Sequence, residues 1–285
     1  MRPNFKRVAT YKILTVDTAG NKSDLAQARI LTYPNFTLEF EKKFDLDGLP
    51  DETRAKIFNP SPDTIDSFRN KPNRKTFLII EAGYEADSGL MTQGEVIDFT
   101  TDTVGNDRIL TAIVHDRNAL WQNTMVTKTF SGVHSASSII DSVLADFGIP
   151  GTINLGVDKS FEDKSINSTL RRFLNDMAKE TLSDFFMSDA RMIFQPRATK
   201  GNKIVFVLSP ETGLIERPEK ATVQIKTSQG ITALEGLKIK SLFNYRFRGG
   251  DIIQLKFREL DQTVKIHNGI HKFQDKDAFS ELEVA

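Results

Sequence analysis

Four histidines, His115, His134, His267 and His271, and a complete lack of cysteine bound the metal and nucleophile chemistry open to this chain of 285 residues. Thiolate metal sites and disulfide scaffolds are excluded. His267 and His271 have the spacing of a helical metal pair, but they lie in a strand-rich segment interrupted by Gly269. Four residues along a strand span about 13 Å, too far to share one ion. Ordinary surface histidines with no metal role are therefore expected. His115 precedes Asp116, yet no nucleophile-elbow serine motif occurs, so a hydrolytic triad is not expected. Asp45, Asp47, Asp51 and Glu52 cluster around Gly48 in a faint likeness of a calcium loop. Leu49 stands where a third ligand belongs and the glycine is misplaced, so a solvated loop is expected. Gly249-Gly250 has no lysine-serine pair or helix start after it and reads as a turn rather than a phosphate loop. No carboxylate pair has a spacing that argues for glycosidase work, although such pairs usually meet only in three dimensions. The reading is of a protein that is not an enzyme, with no catalytic residue, no metal and no cofactor.

One stretch interleaves basic and aromatic side chains: Phe243-Asn244-Tyr245-Arg246-Phe247-Arg248. A stacking platform for single-stranded nucleic acid has this composition. A structural or intersubunit loop is the preferred reading. Lys+Arg and Asp+Glu are both 38, whereas a phosphate-gripping protein normally carries a basic surplus. Near-zero net charge also favours association. No apolar run approaches the roughly 20 residues of a membrane helix. The basic start Met1 to Arg7 is followed by no signal-type apolar stretch, so synthesis and folding in the cytoplasm are expected.

The elements that must position these residues fall into three stretches: 1–130, 131–215 and 216–285. The first is mostly β. Val8 to Val16 is rich in β-formers and runs into a turn-like cluster, Asp17 to Lys22. Asn35 to Phe44 alternates, with Phe36, Leu38 and Phe40 on one face and Thr37, Glu39 and Glu41 on the other. Thr76 to Ile80 and Arg108 to His115 are further strands, and Phe58 to Pro62 is a bend. In the second stretch, Ser135 to Phe147 carries a helical stripe of Ile139, Ile140, Val143, Leu144 and Phe147. It can be capped by Ser135 or Ser137 and stopped at Gly148 and Pro150. A second helix over Asn167 to Leu182 places Leu170, Phe173, Leu174, Met177 and Ala178 on one stripe. Arg191 to Pro196 and Lys203 to Leu208 then form a hairpin through Ala198 to Asn202. The third stretch holds strands over Leu237 to Phe243, Asp251 to Phe257, Thr263 to His267, Ile270 to Phe273 and Phe279 to Val284. Gly249-Gly250-Asp251 and Asn268-Gly269 supply turns. Five short strands suggest a small barrel or sandwich. The 21 phenylalanines are expected to pack the cores.

Three segments carry a resemblance. Asn59-Pro60-Ser61-Pro62 leads into Phe77-Leu78-Ile79-Ile80-Glu81-Ala82-Gly83-Tyr84. The two-helix block, Ala136 to Pro150 and Asn167 to Asp184, continues through Phe185-Phe186-Met187 to Leu208. Lys238 to Arg246 precedes Gly250-Asp251-Ile252-Ile253-Gln254-Leu255-Lys256. In this order they resemble the phage late control protein D family, the baseplate hub proteins of contractile tails, whose architecture the type VI secretion spike hubs share. The sequence departs from the family at Tyr245, where proline is common, and at Pro72-Asn73, where a glycine-aspartate pair is usual.

The resemblance implies an α+β, mainly β fold with two related β-barrel domains framing a helix-plus-hairpin domain. It implies a homotrimeric ring joining the tail tube to a spike or tip protein, beside tape-measure or other baseplate proteins, with DNA only in passage. The chain stops at Ala285, so a separate protein is expected to supply the tip. The implied location is the bacterial cytoplasm during assembly and then the virion tail. Asn244, Tyr245, Arg246, Arg248, Asp251 and Gln254 are the implied subunit-interface or channel-lining residues. The competing readings are a tail-associated cell-wall hydrolase, for which no extra segment is present, and a carbohydrate-binding module, for which the single Trp121 offers little.

Overall fold

Alternating apolar residues build most of this protein into sheet. The computed structural model describes residues 6–17, 29–34, 38–69, 74–115, 124–188, 191–197, 205–227 and 230–285. The first stretch holds β1 (Arg7–Asp17), β2 (Arg29–Pro34), β3 (Leu38–Phe44), β4 (Glu52–Phe58), β5 (Arg74–Tyr84), β6 (Asp87–Val104) and β7 (Asp107–His115). The expected bend after Phe58 is present, with Asn59 at φ 50, and it opens into a short helix, α1 (Pro62–Phe68). Ser61 caps α1 by accepting from the Thr64 N–H, and Pro62 sits where a missing N–H costs nothing.

The middle stretch runs β8 (Met125–Ser135), α2 (Ala136–Asp146), β9 (Gly151–Ile153), β10 (Ser160–Thr169), α3 (Leu170–Glu180), β11 (Ser183–Ser188) and β12 (Arg191–Pro196). Ser135 and Thr169 cap the two helices through the N–H groups of Ser138 and Arg172. Both stripes bury into one core, in which Ile139, Val143, Leu170 and Leu174 meet Phe185 and Phe194. β8 pairs antiparallel with β10, while β11 and β12 form a hairpin joined by β9 in parallel.

The last stretch supplies β13 (Phe206–Leu208), β14 (Glu219–Thr227), β15 (Gly230–Leu242), β16 (Ile252–Phe257), β17 (Leu260–Phe273) and β18 (Ala278–Val284). One sheet runs β14-β15-β18-β17-β3-β4-β7-β6-β5-β1-β2, with β16 on β17 and β13 on β16. The pairing of β17 with β3 joins the two ends of the chain.

The mainly β expectation holds, but the two barrel stretches share one continuous open sheet, and no closed barrel occurs among the described residues. Two strand assignments are corrected. The middle hairpin is β11–β12. Phe206–Leu208 instead pairs in parallel with β16, because its apolar side chains complete the core of the last stretch. Thr263 to His267 and Ile270 to Phe273 are one strand with a bulge between Ile266 and Asn268, so Asn268-Gly269 is not a turn. A Cβ on Gly269 would lie 2.6 Å from the Phe44 ring and 2.8 Å from the Glu281 carbonyl, so close packing explains this glycine. The expected turns at 18–22 and 198–202, Pro72-Asn73 and Trp121 lie outside the described residues.

Candidate functional site

A buried row of polar side chains crosses five neighbouring strands. Ser241 of β15 is in register with Ser280 of β18, Ser280 with His271 of β17, His271 with Lys42 of β3, and Lys42 with Thr53 of β4. None is more than 1% exposed. Most residues two places away on the same faces are apolar. Phe40, Phe243 and Phe273 belong to one core, and Phe44, Ile239 and Leu282 to another. The row is therefore the seam between the cores of the first and last stretches.

Burying polar groups costs free energy unless each is partnered, and the seam supplies partners. Lys42 donates to the Met91 carbonyl at 3.1 Å and lies 3.6 Å from the Asp51 carboxylate, itself 5% exposed. Thr53 donates to Thr92 at 3.0 Å. His271 Nε2 lies 3.1 Å from the Phe247 carbonyl, which fixes the proton on that nitrogen, and Nδ1 takes the Ser280 hydroxyl at 2.8 Å. Its ring stacks on Phe44 at 4.9 Å. Burial pushes His271 down to about 3, and the nearby Lys42 and Arg248 charges act in the same direction, so the imidazole is neutral.

The loop Phe243 to Asp251 closes over the seam. Arg246 grips Asp87, at the start of β6, through its two terminal guanidinium nitrogens, and the Tyr245 hydroxyl donates to the same carboxylate at 3.1 Å. This guanidinium holds Asp87 below the usual carboxylate range. Gly89 makes room for the Tyr245 ring, since a Cβ there would fall 2.4 Å from it, and Arg246 lies over that ring at 4.6 Å. Arg248 donates to the carbonyls of Tyr245 and Phe247, and its own N–H reaches Asp251 at 2.9 Å. Asn244 accepts from the Arg246 N–H at 3.0 Å, while its own N–H reaches Ser280. Five of the six residues singled out from sequence thus form one clamp. Gln254 stands apart on β16, donating to Asp261 at 2.8 Å. Both arginines of the basic-aromatic stretch are committed to acceptors within the chain, as a structural loop requires.

A second junction joins the middle stretch to the sheet. Asp184 of β11 lies 3.9 Å from Lys265 of β17 and 3.4 Å from Arg197. Burial pushes Asp184 up and Lys265 down, both toward neutrality. Gly48 packs against the Phe185 ring, and Gly250 against the Gln195 amide. In the Asp45 loop the carboxylates accept from the loop's own amides, Asp45 from the Asp47 N–H at 2.9 Å and Asp47 from the Leu49 N–H at 2.7 Å. The surface role expected for His271 is corrected by its complete burial, and His267 is half-buried with its pKa pushed down to about 4. No group of three or more potential metal ligands occurs among the described residues. Sequence reasoning missed Lys42, Thr53, Ser241 and Ser280, and the solvated place expected for Asp51 is corrected by its burial beside Lys42. The one signal was Lys42 itself, a charge on the apolar face between Phe40 and Phe44.

No family model and no curated protein matches the chain. Solved structures do. The 43 kDa tail protein of prophage MuSo2 from Shewanella oneidensis superposes with a TM-score of 0.64 at 11% identity, covering 96% of each chain. A tail protein from Neisseria meningitidis MC58 gives 0.61 at 9% identity, again over 96% of each. A chain of the Francisella PdpA–VgrG complex gives 0.58 at 10% identity, over 99% of this chain and 53% of that one. At these identities the likeness is one of fold, and over nearly its whole length this chain has the fold of prophage tail proteins.

Proposed function

We propose that the chain is a structural subunit of a tail baseplate hub, in a phage or phage-derived particle, that joins the tail tube to the spike. The observation that carries this reading is the match over 96% of both chains to a prophage tail protein. The likeness to a chain of a VgrG-containing complex supports a spike partner. In this reading three copies close a ring by heterologous contacts, and the ring matches the symmetry of the tube on one side and the spike on the other. Its work is mechanical continuity, with no bond made or broken. It is built in the host cytoplasm and ends in the virion tail. The clamp residues Asn244 to Asp251 rigidify the subunit near a boundary or channel wall.

Light scattering over a concentration series, alone and with co-expressed tube and spike proteins, followed by electron microscopy, tests it. A threefold ring with an open channel is expected. A strict monomer even with partners, or a twofold dimer packed through α2 and α3, would overturn it. Purified protein is expected to leave peptidoglycan undegraded.

A further inference from the structure

Opposite the buried seam, the outer face of the same five strands is a charge mosaic. Every charged pair in register across these strands is of opposite sign: Lys238 with Glu283, Lys240 with Glu281, Lys272 with Glu41, Glu41 with Arg54, Lys43 with Glu52, and Glu39 with Lys56. Lys238 lies 3.3 Å from Glu283 and Lys272 3.8 Å from Glu41. The five strands span about 19 Å, and two grooves of 310 and 290 Å³ lie on them, the first bordered also by Glu216, Arg217 and Glu219. Among the described residues, Val104, Val133 and Val205 lie off these strands, and Leu234, on the same side of β15 as Lys238 and Lys240, lies outside the stretch of β15 paired with β18. Apolar patches mark surfaces that other proteins cover. A face whose apolar side chains, such as Leu242, Ile270 and Phe279, are half-buried, and on which every ammonium has a carboxylate one strand away, offers a passing polyanion no run of cations from which to displace counterions.

We infer that the outer face of β15 (from Leu237), β18, β17, β3 and β4 lines the channel as a wall that a polyanion passes without being held. The inference rests on the hub reading. The absence of native cysteine makes single-cysteine variants selective. Lys272→Cys and, separately, Lys238→Cys would be coupled to a gold-cluster maleimide on assembled rings and imaged end-on. Gold density on the symmetry axis is expected. Density at the rim, or cysteines shielded from the reagent in the ring but reactive in the subunit, would overturn the inference while leaving the ring intact. A chain that forms no ring fails the hub reading, and this inference with it. In a second arm, wild-type rings are expected not to retain duplex DNA at low salt. Rings carrying Glu41→Lys, Glu281→Lys and Glu283→Lys are expected to bind it at least about tenfold more tightly, with affinity falling steeply as salt rises. Tight, salt-sensitive binding by wild type would overturn the non-adhesive role.

Discussion

Lys42 and His271 face one another in register across β3 and β17, both buried, one charged and one neutral. They are the middle of the row that separates two apolar cores. The Lys42 ammonium is matched by the Asp51 carboxylate 3.6 Å away. Removing one partner of such a pair leaves a charge stranded in low dielectric. Lys42→Met is therefore expected to destabilise the protein by about 3–5 kcal/mol, whereas replacing both residues by apolar ones is often neutral. Denaturant titration checks this. Lys42→Met/Asp51→Leu should recover most of the loss, and a double variant as unstable as the single would show that shape rather than charge matters there.

Acid should weaken the protein through its histidines. His271 and His267 titrate near 3 and 4 in the folded chain, against about 6.5 when unfolded. Because the folded values are depressed, the unfolded chain binds more protons below about pH 6.5. Stability is fully present above that pH and falls on acidification, by about 1.4 kcal/mol per pH unit per histidine. Both contribute down to pH about 4, and His271 alone down to about 3. His271→Gln is expected to halve the slope between pH 6 and 4, measured as melting temperature against pH relative to wild type. An unchanged slope would mean that His271 is protonated in the fold.

The middle core should depend on α3. Leu174 is fully buried at the centre of that stripe, and Leu174→Ala is expected to cost about 2–5 kcal/mol. A melting temperature within a degree of wild type would show that the site collapses without loss.

The clamp at Asp87 should govern local order more than global stability. Asp87 and Arg246 are about half exposed, so solvent screens them and Asp87→Asn is expected to cost under about 1 kcal/mol. Hydrogen exchange should nevertheless speed up at residues 244–251, which the Arg246 fork and Tyr245 hold to β6. Exchange unchanged by the variant would assign the ordering to Arg248 instead.

The two helices, the strands β1, β3, β5, β7, β12, β13, β16 and β18, and the end of β15 were legible, because most of them bury one regular apolar stripe. Periodicity could not show β11, whose six residues are all buried and so do not alternate. Nor did it show β8 and β10, whose uncovered face carries Thr127, Thr129, Ser165 and Asn167 in place of a clear pattern. Asn268-Gly269 was misread for a related reason. Its local chemistry is that of a turn, and only the Phe44 ring, supplied from the other end of the chain, shows why a glycine is needed. The clamp was legible as a basic-aromatic loop, but its acceptor Asp87 is distant in sequence. Of the seam, only Lys42 left a mark, as a charge out of step with its neighbours.

The seam also acts as a key for strand alignment. A slip of β17 against β3 by two residues keeps every side chain on its proper face, so alternation alone does not forbid it. It would, however, set Gly269 or Phe273 opposite Lys42 and move His271 opposite Phe40 or Phe44. The polar row would then be broken at this junction, each half running into the apolar core on the other side. Five polar positions thus select one alignment among several apolar equivalents, for strands drawn from opposite ends of the chain.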